Sequence, residues 1–342
     1  MKSILPVYNP PLLGFLRWPY TLSITMGYNE TLPWFYTNFI QVKVNKNFHE
    51  KKSEFNFNFY RGERNEFTNN PFISTTSIDV DFLNGLNHDI LSFLKYSIDS
   101  GYYVVMLVDE FFIPGKDSYL KENYPHHIFI YGYDFEKKVL FLTGFSHGVY
   151  GHNEINFYDF INSYKSIINM YNNNLTPKDN IYLMKFNSNH SYNFSEEVFK
   201  DEILSYYYSK SHTDSLNYIN ADNEYGLKTY KHLIYYYSLL SEEVEINDFG
   251  KIRSLHILWE HKNMMVKRLE YLSENGHLNN VELTIMNYKK MANKAIILRN
   301  LILKSNVHVE KSVYIKVING LRDLELIESE ALGKVLELFR KN

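Results

Sequence analysis

The run His126-His127-Ile128-Phe129-Ile130-Tyr131-Gly132-Tyr133-Asp134 concentrates the groups of this chain that can move a proton. Two imidazoles open an apolar strand, and a Gly-Tyr-Asp turn ends it. A general base must be held rigidly, and a strand start at the rim of a packed sheet holds its ring in a cleft with the backbone fixed behind it. Asp109 closes an earlier apolar run and faces a long loop, so it is a candidate carboxylate partner, as is Asp134. Asp134 reads better as a turn residue making an Asx-type bond. Thr21 and Ser23 are the candidate hydroxyl nucleophiles. A histidine pair simply hydrogen-bonded at a strand end is the bland alternative. His126, His127, His147 and His152 lack metal-binding helical spacing, and adjacent strand histidines point to opposite faces, so no metal is expected. The nucleophile-elbow, dinucleotide and phosphate-loop glycine patterns are absent, which removes the usual hydrolase, dinucleotide and nucleotide-triphosphatase readings.

The elements that must position these residues are legible in outline. An α+β organisation is expected, with a mixed domain over residues 1–190 and a helical bundle over 195–342. Residues 35–44 and 55–60 read as strands, the second by alternation of Phe55, Phe57 and Phe59. Leu83, Leu86, Ile90, Leu94 and Ile98 recur at helical spacing, and Gly101 fits a left-handed stop. Residues 102–108 are a buried strand, 126–133 and 139–145 a hairpin, 157–171 a helix, and 181–186 a last strand. Ser195 is a plausible N-cap before Glu196 and Glu197. Beyond it, apolar stripes such as Leu227, Tyr230, Leu233, Ile234, Tyr237 and Leu240 predict four or five bundled helices.

Composition narrows the function classes. The 342 residues carry a formal charge of -3, which gives no basic field for a phosphate backbone and argues against nucleic acid. Cysteine is absent, so disulfides, zinc ribbons, iron–sulfur clusters and thiolate catalysis are excluded in this chain. Thirty Tyr and 24 Phe fit an aromatic-lined interior for a flat or greasy substrate. No apolar run approaches a membrane span, and residues 1–16 show no signal-peptide pattern, so a cytoplasmic protein without a membrane partner is expected.

The histidine strand, with Gly101-Tyr-Tyr-Val-Val-Met-Leu-Val-Asp109, Phe111-Phe112-Ile113-Pro114, Tyr119, Leu142-Thr-Gly-Phe145 and the Pro33 to Gln41 run, resembles the papain-like cysteine enzymes. It is most similar to the relatives of the butirosin biosynthesis H protein, over roughly the first 170 residues. That resemblance implies a papain-like fold and acyl transfer in bacterial natural-product or antibiotic biosynthesis. A nucleophilic Cys would take an acyl group from a carrier-protein thioester, presented on phosphopantetheine, and pass it to a small amine or peptide acceptor. No other cofactor is implied. His126, six residues before Gly132, matches the base position, and His127 stands where an apolar or aromatic residue is usual. His127, Tyr119, Tyr20, Trp34 and Tyr131 become candidate substrate contacts. A second copy of the chain is a further candidate partner.

Two positions depart from the pattern. The stretch Trp18-Pro-Tyr-Thr21-Leu-Ser23-Ile-Thr25 holds no Cys, and the third position, about 16–18 residues past the histidine, falls near Thr143 and Gly144. Three explanations follow: a true Ser23 or Thr21 nucleophile, a serine substituted for cysteine, or a non-catalytic relative. An alcohol depends wholly on its base. The expected function is therefore acyl transfer to an amine with His126 as base. A pseudoenzyme binding module is the alternative, and a peptidase or amidohydrolase of the same fold ranks third.

Overall fold

The computed structural model describes residues 1–59, 67, 70–86, 89–211, 222–246, 250–305 and 309–341. It is a mixed helix and sheet structure with an antiparallel sheet and a C-terminal helical region. The chain divides into two compact units, Met1–Asn29 with Asn65–Ser191, and Glu30–Arg64 with Tyr192–Asn342. The second of these divisions falls after Ser191, in the Asn/Ser-rich stretch, and the segment from Glu30 groups with the helical unit.

In the first unit, β4 (Ile73–Ile78), β9 (Ile181–Phe186), β5 (Tyr103–Asp109), β6 (Pro125–Asp134), β7 (Val139–Ser146) and β8 (Val149–Asn156) lie side by side in that order. The short β1 (Lys2–Ile4) adds to β6. All pairings are antiparallel, and Val108 faces His126 while Leu107 faces His127. Val104, Met106, Val108, Ile128 and Ile130 line one face of the sheet, against α4 (Ile90–Asp99) and α5 (Phe157–Asn172). The alternate residues Tyr103, Val105, Phe129 and Tyr131 line the other, against Tyr20 and Ile24 of α1 (Arg17–Thr25). Period-two alternation therefore gives β5 and β6 two greasy faces, which is why they read as continuous apolar runs.

Gly132 is fixed by close approach. A Cβ there would meet the Ser3 carbonyl at 2.8 Å, beside the irregular register between Ile130 and Gly132. The Gly-Tyr-Asp segment is thus still strand, with Asp134 making the expected Asx-type turn by accepting from the Glu136 and Lys137 amides, both at 3.0 Å. Gly101, at φ 83°, ends α4 as predicted.

Two predicted elements differ. The apolar stripe from Leu83 to Ile98 is divided between two helices, α3 (Val80–Gly85) and α4, because Asp79 and Asp89 each cap a new start by accepting from the Phe82 and Ser92 amides. The strand predicted at 35–44 is α2 (Leu32–Thr37) followed by β2 (Val42–Asn45), Pro33 favouring the first helical turn. Tyr60, at the end of the predicted 55–60 strand, lies outside the described residues; β3 is Phe57–Phe59.

The second unit holds a small sheet, β10 (Asn223–Tyr225) with β2 and β3, and the helices α6 (Glu196–Tyr207), α7 (Thr229–Ser241), α8 (Lys251–Glu274), α9 (Glu282–Lys304) and α10 (Lys311–Lys341). Ser195 caps α6 by accepting from the Val198 amide. Among the described residues, no helix is long and apolar enough to cross a membrane.

Candidate functional site

The chemistry gathers where β5 ends and β6 begins. A 3-10 turn, Glu110–Phe112, follows β5 directly and turns Glu110 toward the first residues of β6. Glu110 Oε1 stands 2.7 Å from His126 Nδ1 and 3.1 Å from Lys116 Nζ. The Glu110 and Lys116 side chains are 8 and 13 % exposed, whereas the His126 ring is 32 % exposed. Burial pushes the Glu110 carboxyl up, but the hydrogen bond and charge of His126, with Lys116, outweigh it and hold the group below its ordinary value. An ionised carboxylate only accepts, so His126 Nδ1 carries a proton in this contact, and in the uncharged ring Nε2 is the nitrogen with the lone pair. The arrangement is a carboxylate-oriented imidazole with a cation beside it, which has the geometry a general base requires.

Asp109, the carboxylate nominated from sequence, is committed elsewhere. It is fully buried and accepts from the Phe111 amide at 3.0 Å, the Tyr124 amide at 2.9 Å, Asn123 Nδ2 at 2.5 Å and Ser166 Oγ at 2.7 Å. Those four bonds pin the loop 110–124 to α5, so Asp109 positions the neighbourhood of Glu110 and does not itself bond His126. The carboxylate that meets His126 is the next residue along the chain, Glu110. The only available signal was that neighbouring acids at a strand end face different ways.

The α1 hydroxyls are likewise occupied. Thr21 Oγ1 donates to the Trp18 carbonyl at 3.1 Å, and Ser23, fully buried, has its Oγ 3.4 Å from the Tyr150 hydroxyl. Neither is hydrogen-bonded to His126 or His127. Thr143 Oγ1 donates to the Gly151 carbonyl at 3.2 Å.

His127 has its own carboxylate. Its Nε2 lies 2.8 Å from Asp179 Oδ2, just ahead of β9, and Tyr182 donates to the other Asp179 oxygen at 2.9 Å. The Tyr20 hydroxyl, on α1, donates to the His127 carbonyl at 2.8 Å while its ring stacks on Phe129. Among the proposed substrate contacts, Tyr20 and Tyr131 are buried in the α1-side core, Tyr131 with its hydroxyl 3.1 Å from His152 Nδ1. Tyr119 is half-buried in the loop after Lys116. Trp34 is buried in the other unit, edge-on to Phe39. Asp179 had no local signal, because only the order β9-β5-β6 brings it near residue 127.

Among the described residues, no three His, Cys, Asp or Glu side chains converge as a metal site would require. A cavity of about 430 Å3 lined by Phe48, His49, Lys52, Ser53, Glu245 and Ile246 lies in the second unit. No protein-family model matches the chain, and no curated protein sequence is detectably similar to it.

Proposed function

We propose that the first unit is a papain-like acyl-transfer domain in which His126, oriented by Glu110, lets an amine take an acyl group from a carrier-protein thioester. The observation that carries this reading is the 2.7 Å contact between His126 Nδ1 and the buried Glu110. The amine nitrogen attacks the thioester carbon as its proton passes to His126 Nε2. The C–N bond forms, the C–S bond breaks, and the imidazolium returns the proton to the departing thiolate. Glu110 stabilises the imidazolium during the step, and Lys116 offsets the carboxylate charge while the ring is uncharged. A positioned base of this kind contributes about 10²–10⁴-fold. No enzyme-bound acyl group is needed, which suits a chain without cysteine. A carrier protein as donor partner, a small amine or peptide as acceptor and a cytoplasmic place in natural-product biosynthesis belong to the same proposal.

A specific observation favours a second reading, a binding module on the same shell: Thr21 and Ser23 are buried and bonded to other groups. Incubating the full chain with a reactive thioester and a primary amine, with amide read by mass spectrometry, separates the two. Amide formation that is lost in His126→Ala and much reduced in Glu110→Gln supports transfer. Background rates in the unmodified chain support the module.

A further inference from the structure

The connection between β2 and β3 and the chain leaving α7 line the cavity of about 430 Å3, and all six of its lining residues belong to the second unit. That volume is within the range small-molecule sites occupy, about 300–1,000 Å3. Phe48 is buried and seated by ring contacts with Phe55, Tyr235 and Tyr236, at 4.9, 5.9 and 5.9 Å. His49 and Ile246 are half-buried, whereas Lys52, Ser53 and Glu245 are exposed. The cavity thus combines apolar walls with a rim that carries one charge of each sign.

Backbone bonds set both sides of that rim. The Ser53 amide donates to the Phe48 carbonyl at 2.9 Å and the Lys52 amide to the His49 carbonyl at 3.2 Å, with Lys52 itself at φ 49°. Asn45 Nδ2 donates to Ser53 Oγ at 3.3 Å, and the Ser53 hydroxyl proton has no acceptor among the described residues. Opposite, Glu243 at φ 57° and the Val244 amide, bonded to the Leu239 carbonyl at 3.1 Å, close α7 just before Glu245. Lys51 and Glu54, on either side of the Lys52–Ser53 turn, have ion-pair partners in Asp222 and Arg253. Lys52 and Glu245 differ: among the described residues, their side chains pair neither with each other nor with another group.

Opposite charges that line one cavity without meeting are bridged by a molecule that carries both charges itself. We propose that this cavity binds a free α-amino acid with an apolar side chain, independently of the acyl transfer assigned to the first unit. Lys52 Nζ meets the ligand carboxylate, with the Ser53 hydroxyl donating beside it, and Glu245 takes the ammonium group. Phe48 and Ile246 cover the apolar side chain. A ligand with only one of the two charges leaves the other rim charge unmatched, which disfavours a simple carboxylate or a simple amine.

The test titrates the full chain with L-leucine by isothermal calorimetry. Isocaproate, which lacks the ammonium group, isoamylamine, which lacks the carboxylate, and glycine, which lacks the side chain, are the comparison ligands. Saturable leucine binding is expected, about fivefold or more tighter than either singly charged analogue and about tenfold or more tighter than glycine. Lys52 and Glu245 are exposed, so Lys52→Gln and Glu245→Gln should keep the circular dichroism of the unmodified chain. In Lys52→Gln leucine should lose its advantage over isoamylamine, and in Glu245→Gln its advantage over isocaproate. Absence of saturable leucine binding, equal binding of either analogue or of glycine, or leucine affinity unchanged in either variant would each overturn the proposal.

Discussion

Glu110 holds His126 by one 2.7 Å contact to Nδ1, and the same carboxylate oxygen also meets Lys116 Nζ. That relationship gives the first prediction. Glu110→Gln keeps the size of the side chain but not its charge, so the imidazolium loses its stabilising partner. Amide formation should fall about 10–100-fold, and His126→Ala should fall further, toward 10²–10⁴-fold. Single-turnover rates on folded protein measure both.

Asp109 should behave as a structural residue. Asp109→Ala orphans the Phe111 and Tyr124 amides and the Asn123 and Ser166 side chains, in a fully buried place. A loss of roughly 3 kcal/mol is expected, the upper range for hydrogen bonds to a charged group. Urea unfolding measures it, and its midpoint should move far more than for Ser23→Ala.

Ser23→Ala tests the hydroxyl-nucleophile reading directly. The Ser23 hydroxyl has one long contact, to Tyr150 at 3.4 Å, so its removal should cost under about 1 kcal/mol and leave the transfer rate unchanged. A rate reduced to background in a stable Ser23→Ala protein would assign the acyl group to Ser23 instead.

Acid should act through Glu110. Its folded-state value lies below the ordinary 4.5, so its contribution is complete above that pH and is lost as pH falls through the folded value. Unfolding midpoints measured between about pH 5 and pH 3 should drop less steeply in Glu110→Gln than in the unmodified chain.

The helical unit carries a buried ion pair, Lys262 with Glu328, at 2.5 Å and with both side chains wholly enclosed. Tyr230 donates to the same carboxylate at 2.8 Å, and His261 Nδ1 lies 3.0 Å from the ammonium. Lys262→Met strands the Glu328 charge and should cost about 3–5 kcal/mol. Adding Glu328→Gln removes that charge while leaving an acceptor for Tyr230, so the double variant should be more stable than Lys262→Met alone. Chemical denaturation of the two variants checks the order.

Much of the scaffold was written locally. Continuous apolar runs marked β5 and β6, Asp134 announced its turn, Gly101 its helix stop and Ser195 its cap, because each rests on contacts within a few residues. The short strands β1, β4, β8 and β10 passed unnoticed, since three to eight residues of mixed polarity give no periodic signal until a neighbour pairs with them. Asp79 and Asp89 split one helical stripe into two helices for a related reason: a capping bond can override an apolar period.

The sequence by itself determined that two histidines open an apolar strand and that no thiol accompanies them. Which acid each histidine meets was decided only by the tertiary structure. His126 finds Glu110 because a 3-10 turn redirects the chain after β5, and His127 finds Asp179 because β9 lies beside β5 in the sheet. Partners 16 and 52 residues away are chosen by strand order and turn geometry, which no local spacing encodes.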